Sequence, residues 1–187
     1  MASSAKATGA RRGSRLRWAI WGTAAFLLLL PLVAMQFTSE VVWDETDFIV
    51  MGAMLGLACG AYELTVRLSD SRIYRAGFGL AILSCFLLVW INLAVGIIGS
   101  DDNPANQMYL AVLGIVIVGA VAVRGRATGM MWVMAAAALA QVAIGVIALA
   151  GNLGTEGIGW PRDVIGCTAM FGMVWLGSAG LFRLAAK

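Results

Sequence analysis

Apolar and polar positions along this chain do not alternate with a period of two. They fall into six long apolar runs, roughly residues 18–37, 48–67, 76–99, 108–124, 129–150 and 161–182, separated by short polar stretches. A run of about 17–24 residues is the length a helix needs to cross a ~30 Å hydrocarbon core at about 1.5 Å per residue. A membrane barrel would instead show segments of about ten residues with in–out alternation. The pattern therefore predicts an all-α integral membrane bundle of six transmembrane helices. It forms one domain over residues 15–187, behind a disordered basic tail, residues 1–14. The run from Ala19 to Phe37 is longer than a signal-peptide core, and no Ala-x-Ala site follows "PLVAMQF". It reads as an uncleaved first helix, with Pro31 kinking it or loosening its last turns.

Composition agrees. The 187 residues are 61% hydrophobic, with 13 basic and 10 acidic residues, too little polar surface for a soluble domain of this length. The net charge of +3 invites a nucleic-acid reading, but the distribution removes it. Placing the N-terminus in the cytoplasm puts Lys6, Arg11, Arg12, Arg15, Arg17, Arg67, Arg72, Arg75, Arg124, Arg126, Arg183 and Lys187 inside and only Arg162 outside. The acids Glu40, Asp44, Glu45, Asp47, Asp101, Asp102, Glu156 and Asp163 fall outside. A lysine and arginine bias of this kind over short loops sets topology, with both termini cytoplasmic. No basic patch is left over for nucleic acid.

The chain has no histidine, which removes the commonest metal ligand and general base. Cys59, Cys85 and Cys167 each lie inside an apolar run and read as packing residues. There is no phosphate-binding loop, no GxSxG and no HExxH. The sequence thus predicts no enzyme, no cofactor and no metal centre.

Four features carry candidate chemistry. Gly52, Gly56 and Gly60 form a GxxxGxxxG face on the second helix, for packing within the chain or for a homodimer. Glu63 stands near the cytoplasmic end of that helix. It is a candidate proton or cation site, with an ion pair to Arg67 at i+4 as the simpler reading. Asn92 shares a stripe with Cys85, Leu88, Gly96 and Gly99. The stretch "NLAVGII" from Asn92 echoes "QVAIGVI" from Gln141, which pairs Gly96 with Gly145 and suggests a duplicated hairpin, 48–99 and 108–150. On this reading Asn92 and Gln141 face each other or a shared polar site, or serve as inter-helix glue. Finally, "GSDDNPANQ" offers Asp101 and Asp102 as weak metal candidates, since a hard cation needs more oxygens than one adjacent pair supplies. The preferred reading is a turn in which Gly99 stops one helix, Asn103 caps the next and Pro104 begins it. Asp47 is the expected cap of the second helix.

The stretches "LPLVAMQFTSEVVWDETDF", "AYEL" and "NLAVGIIGSDDNPAN" resemble a family of short, uncharacterised bacterial inner-membrane proteins, over roughly residues 30–182. The resemblance implies a small multi-pass protein of the bacterial cytoplasmic membrane. It implies no activity, substrate or catalytic residue.

Two function classes follow. One is a non-catalytic accessory or structural membrane protein that acts through helix packing, its partners the lipid bilayer and either a second copy or another membrane protein. The other is a small solute or ion transporter or channel with a polar site near Glu63, Asn92 and Gln141.

Overall fold

The computed structural model describes residues 2–187, with side chains from Arg17 onward. The tail expected over residues 1–14 lies outside the described side chains. The elements are α1 (Ala2–Ala34), α2 (Glu45–Leu68), α3 (Arg72–Ala94), a short 3-10 turn (Pro104–Met108), α4 (Tyr109–Ala122), α5 (Ala127–Ala150) and α6 (Arg162–Ala185). Among the described residues there is no strand, and six helices are long and apolar enough to cross a membrane. The chain divides into two compact units, Met1–Leu64 and Thr65–Lys187.

In the first unit, α1 ends three residues past Pro31. The start of α2 is fixed by a reciprocal pair. Asp44 Oδ1 accepts the Asp47 N–H at 3.0 Å, and Asp47 Oδ2 accepts the Asp44 N–H at 3.0 Å. Each carboxylate satisfies a donor that the first turn leaves without a helical partner. Asp47, expected as the cap, is therefore the third helical residue, and Asp44 takes the capping position. The two acids also suit the positive end of the helix.

In the second unit, α6 packs between α3 and α5, and α5 packs between α6 and α4. Ser71 caps α3 by accepting the Tyr74 N–H at 3.3 Å. Arg75 reaches back to the end of α2, donating to the Ser69 carbonyl at 2.7 Å and the Val66 carbonyl at 3.1 Å, where unpaired carbonyls favour a cation. Tyr74 donates its hydroxyl to the Gly125 carbonyl at 2.6 Å and so ties α3 to the α4–α5 turn. Gly125 has φ +66°, a conformation glycine adopts without strain. Opposite, the α3–α6 seam is set by Gly77. It lets Phe182 approach, and its carbonyl accepts the Ser178 hydroxyl at 2.9 Å. Tyr74, Phe78 and Phe182 stack around this point with ring centroids 5.0–5.6 Å apart. The core runs through Leu88, Val112, Met134, Phe171 and Trp175, all fully buried.

The end of α3 departs from the sequence reading. The third apolar run predicts a helix to residue 99, but α3 ends at Ala94. Gly96 and Gly99 have φ +70° and +75°, and the apolar residues between them turn back into the core, where Ile97 and Ile98 are buried. Hydropathy reports burial, and two isoleucines are equally apolar in a helix and in a buried loop.

Candidate functional site

The "DNPAN" stretch is a structural clamp. Asn103 accepts the Ala105 N–H at 2.9 Å, with Pro104 at the first position of the turn that leads into α4. Its amide nitrogen donates to the Leu153 carbonyl and to Glu156 Oε1, both at 2.6 Å, and so binds the α3–α4 loop to the α5–α6 loop. Asn106 is buried and serves the preceding loop. Its Oδ1 accepts the N–H groups of Ile97 at 3.1 Å and Ile98 at 2.9 Å, while its nitrogen donates to the Ser100 carbonyl at 2.6 Å. The two loops then touch backbone to backbone. A Cβ added at Gly154 would lie 2.6 Å from the Gly99 nitrogen, and one at Gly157 would lie 2.7 Å from Gly99 Cα. Asp101 and Asp102 are exposed in the turn. Among the described residues, no group of three cysteine or acidic side chains comes together to hold a metal ion.

Glu63 belongs to the first unit. Arg17 of α1 donates to its Oε1 from Nε at 2.9 Å and to its Oε2 from Nη2 at 3.3 Å, and Trp21 Nε1 donates to Oε1 at 3.0 Å. The carboxylate thus joins α2 to α1, a cross-helix pairing beyond the i+4 spacing that the sequence offers. Its side chain keeps 19% of its exposure, against 60% for Arg17, so the pair is only half withdrawn from solvent.

The glycines divide into different kinds. On α2, Gly52 faces Leu28 at an ordinary 3.8 Å, whereas a Cβ at Gly56 or Gly60 meets nothing within 4 Å. Gly145 on α5 is a tight packing site, since a Cβ there would collide with the Thr168 side chain of α6. Gly96 is not part of a helix face. It lies in the turn after α3, and a Cβ there would meet the Ser100 carbonyl. The stretches "NLAVGII" and "QVAIGVI" differ in backbone. Residues 141–147 are helical throughout, while the stretch from Asn92 leaves the helix after Ala94.

Asn92 and Gln141 both sit in the second unit. Asn92 donates to the Leu88 carbonyl of its own helix at 2.7 Å, and its Oδ1 is buried with no protein hydrogen-bond partner. Gln141 is 0% exposed, and neither its Oε1 nor its Nε2 has a protein partner. No hydrogen bond joins the two amides. Three residues not singled out in the sequence bring further buried polar atoms, the Tyr109 hydroxyl, Thr168 Oγ1 and Trp175 Nε1. Trp175 Nε1 has no protein partner, while the Tyr109 and Thr168 hydroxyls lie against each other, beside Cys167. The signal that finds Thr168 and Trp175 in sequence is their spacing of seven along α6, on the stripe that buries Val164, Phe171, Ser178 and Phe182. Tyr109 carries no such signal, because an aromatic at the first residue of an apolar helix also reads as an interfacial anchor. The group holds donors, acceptors and hydroxyls that are both, and no charge. No family model, curated protein or solved structure matches the chain.

Proposed function

We propose that the chain is a multi-pass protein of the bacterial inner membrane, with both termini cytoplasmic, that acts without catalysis as an accessory or structural component through helix packing. Six helices of spanning length and the one-sided distribution of lysine and arginine support the topology. The observation that carries the role is the glycine face of α2. Gly56 and Gly60 are spaced for close backbone approach, yet meet no side chain within 4 Å. The polar ties elsewhere, through Asn103, Asn106, Tyr74 and Ser178, join one part of the chain to another. A photo-crosslinking residue at Leu57 or Gly60, in membranes from cells making the full chain, tests this. An adduct of one defined mass that disappears with Gly56→Leu supports it. Absence of any adduct from α2 overturns it. For topology, a cysteine placed at Asp102 in a background without Cys59, Cys85 and Cys167 is expected to react from the periplasmic side.

A second reading, a small solute or ion transporter or channel near Glu63, Asn92 and Gln141, is favoured by one observation. The Gln141 amide is fully buried with both ends unpartnered, an expensive arrangement in an apolar core.

A further inference from the structure

The unpartnered polar groups of the second unit are close to one another in register. α5 and α6 run antiparallel and touch where Gly145 meets Thr168 and where Gly172 faces Val142 at 3.9 Å. Moving one turn along α5 from Gly145 to Gln141 therefore corresponds to moving one turn along α6 from Thr168 to Gly172. Gln141 thus lies at a depth between Thr168 and Trp175, and the α6 residue at its own level is a glycine. Tyr109 of α4 joins the group through its contact with Thr168. α3 and α6 are also antiparallel, with Gly77 against Ser178 and Leu80 against Gly177. Carried along the helices, that register places Asn92 about one turn beyond Thr168.

Leaving one buried polar group without a partner costs about 1–3 kcal/mol, and native cores show few such groups. Here Gln141 alone contributes two, and Trp175 Nε1 and Asn92 Oδ1 contribute one each. Leucine or methionine fills the volume of a glutamine without that cost. We propose that α3–α6 form a binding site, deep in the second unit, for a small uncharged molecule that both donates and accepts hydrogen bonds. Gln141 is its central contact, Tyr109, Thr168 and Trp175 are its walls, and Gly172 leaves it room. A set of neutral donors and acceptors in mixed number suits a neutral guest better than an ion, which would want oxygens alone. This chemistry fits water and equally fits a compact amide or polyol. The proposal rests on the second reading above, narrowed to neutral guests and without Glu63, which is held by Arg17 and Trp21.

The test uses the full chain purified in mild detergent and reconstituted in vesicles, with acetamide, urea and glycerol as probes. Binding is read as a saturable rise in Tm of about 3–6 °C in the wild type. That rise is expected to be absent in Gln141→Leu and in Thr168→Val, both of which conserve volume. Light scattering after an osmotic shock separates the sources. Protein-dependent reswelling with one probe identifies that solute class, whereas faster shrinkage alone identifies water. Either a probe-specific rise in Tm or a protein-dependent flux, lost in both variants, supports the proposal. It is overturned if every probe leaves Tm unchanged and shrinkage matches empty vesicles, with Gln141→Leu melting at or above the wild type. The α2 cross-link is blind to these substitutions, so failure here and failure of the packing role are distinguishable.

Discussion

The side chain of Asn106 closes onto the backbone of Ile98. Its Oδ1 accepts the Ile98 N–H at 2.9 Å and its Nδ2 approaches the Ile98 carbonyl at 3.4 Å. An amide side chain imitates here the pairing that a neighbouring backbone segment would supply. That is what allows two isoleucines outside any helix to be buried without orphaning their peptide groups.

Removing that side chain exposes the cost. In Asn106→Ala the N–H groups of Ile97 and Ile98 lose their acceptor inside the protein, at about 1–3 kcal/mol each. Unfolding of the detergent-purified protein should show a loss of roughly 2–4 kcal/mol. Asn106→Asp keeps the acceptor but loses the donor to Ser100 and brings a charge into a buried position, so it should not restore the wild-type midpoint. An Asn106→Ala protein that melts with the wild type would remove this loop from the list of stabilising elements.

Asn103 separates two roles that a single residue fills. Aspartate at this position still accepts the Ala105 N–H and keeps the cap, worth about 1 kcal/mol. It cannot donate to Leu153, and it sets a carboxylate against Glu156. Asn103→Asp should therefore destabilise although capping is intact, and Glu156→Gln in the same chain should recover part of the loss. If Asn103→Asp alone matches the wild type while Asn103→Ala does not, the cap is the whole contribution and the loop-to-loop bond adds nothing measurable.

These two asparagines also mark what the sequence makes legible. The cap at Asn103 follows from local grammar, because Asn-Pro before an apolar run has a physical meaning that needs no neighbour in space. The six helices follow from run length for the same reason. The bond from Asn103 to Leu153 spans 50 positions, and nothing local announces it. The end of α3 is hidden because Ile97 and Ile98 are apolar in either setting, and the left-handed glycines that end it look like packing glycines. Gln141 stands out as an amide among apolar residues, but its company does not. Tyr109, Thr168 and Trp175 are ordinary on their own helices, and only antiparallel packing of α4, α5 and α6 brings their polar ends to one level.

The Arg17–Glu63 pair has a bounded effect. With Arg17 largely exposed, its attraction is screened, and a double-mutant cycle with Arg17→Gln and Glu63→Gln should return a coupling of no more than about 1 kcal/mol. Trp21→Phe removes one further donor to Glu63 Oε1. A coupling well above that bound would mean that Glu63 is far more withdrawn from water than its exposure indicates.

Two glycines, one on α5 and one on α2, should respond oppositely to the same substitution. At Gly145 an added methyl group enters the space of the Thr168 side chain, which is itself fixed between α5 and Tyr109. Overpacking of this kind costs about 1–3 kcal/mol. Gly145→Ala should lower the unfolding midpoint, and Thr168→Ala in the same chain should recover it by withdrawing Oγ1 and Cγ2, the nearest atoms to the new methyl. At Gly56 nothing lies within 4 Å. There alanine should be neutral or stabilising by up to about 1 kcal/mol, the difference in helix propensity between the two residues. The comparison is made on purified protein, where Gly56→Ala reads only the intramolecular cost. If Gly56→Ala is as damaging as Gly145→Ala, the α2 face is packed within the chain, and the packing role proposed for it fails. If Gly145→Ala is silent, or Thr168→Ala does not rescue it, the close approach of α5 to α6 on which the polar site depends is looser than the register requires.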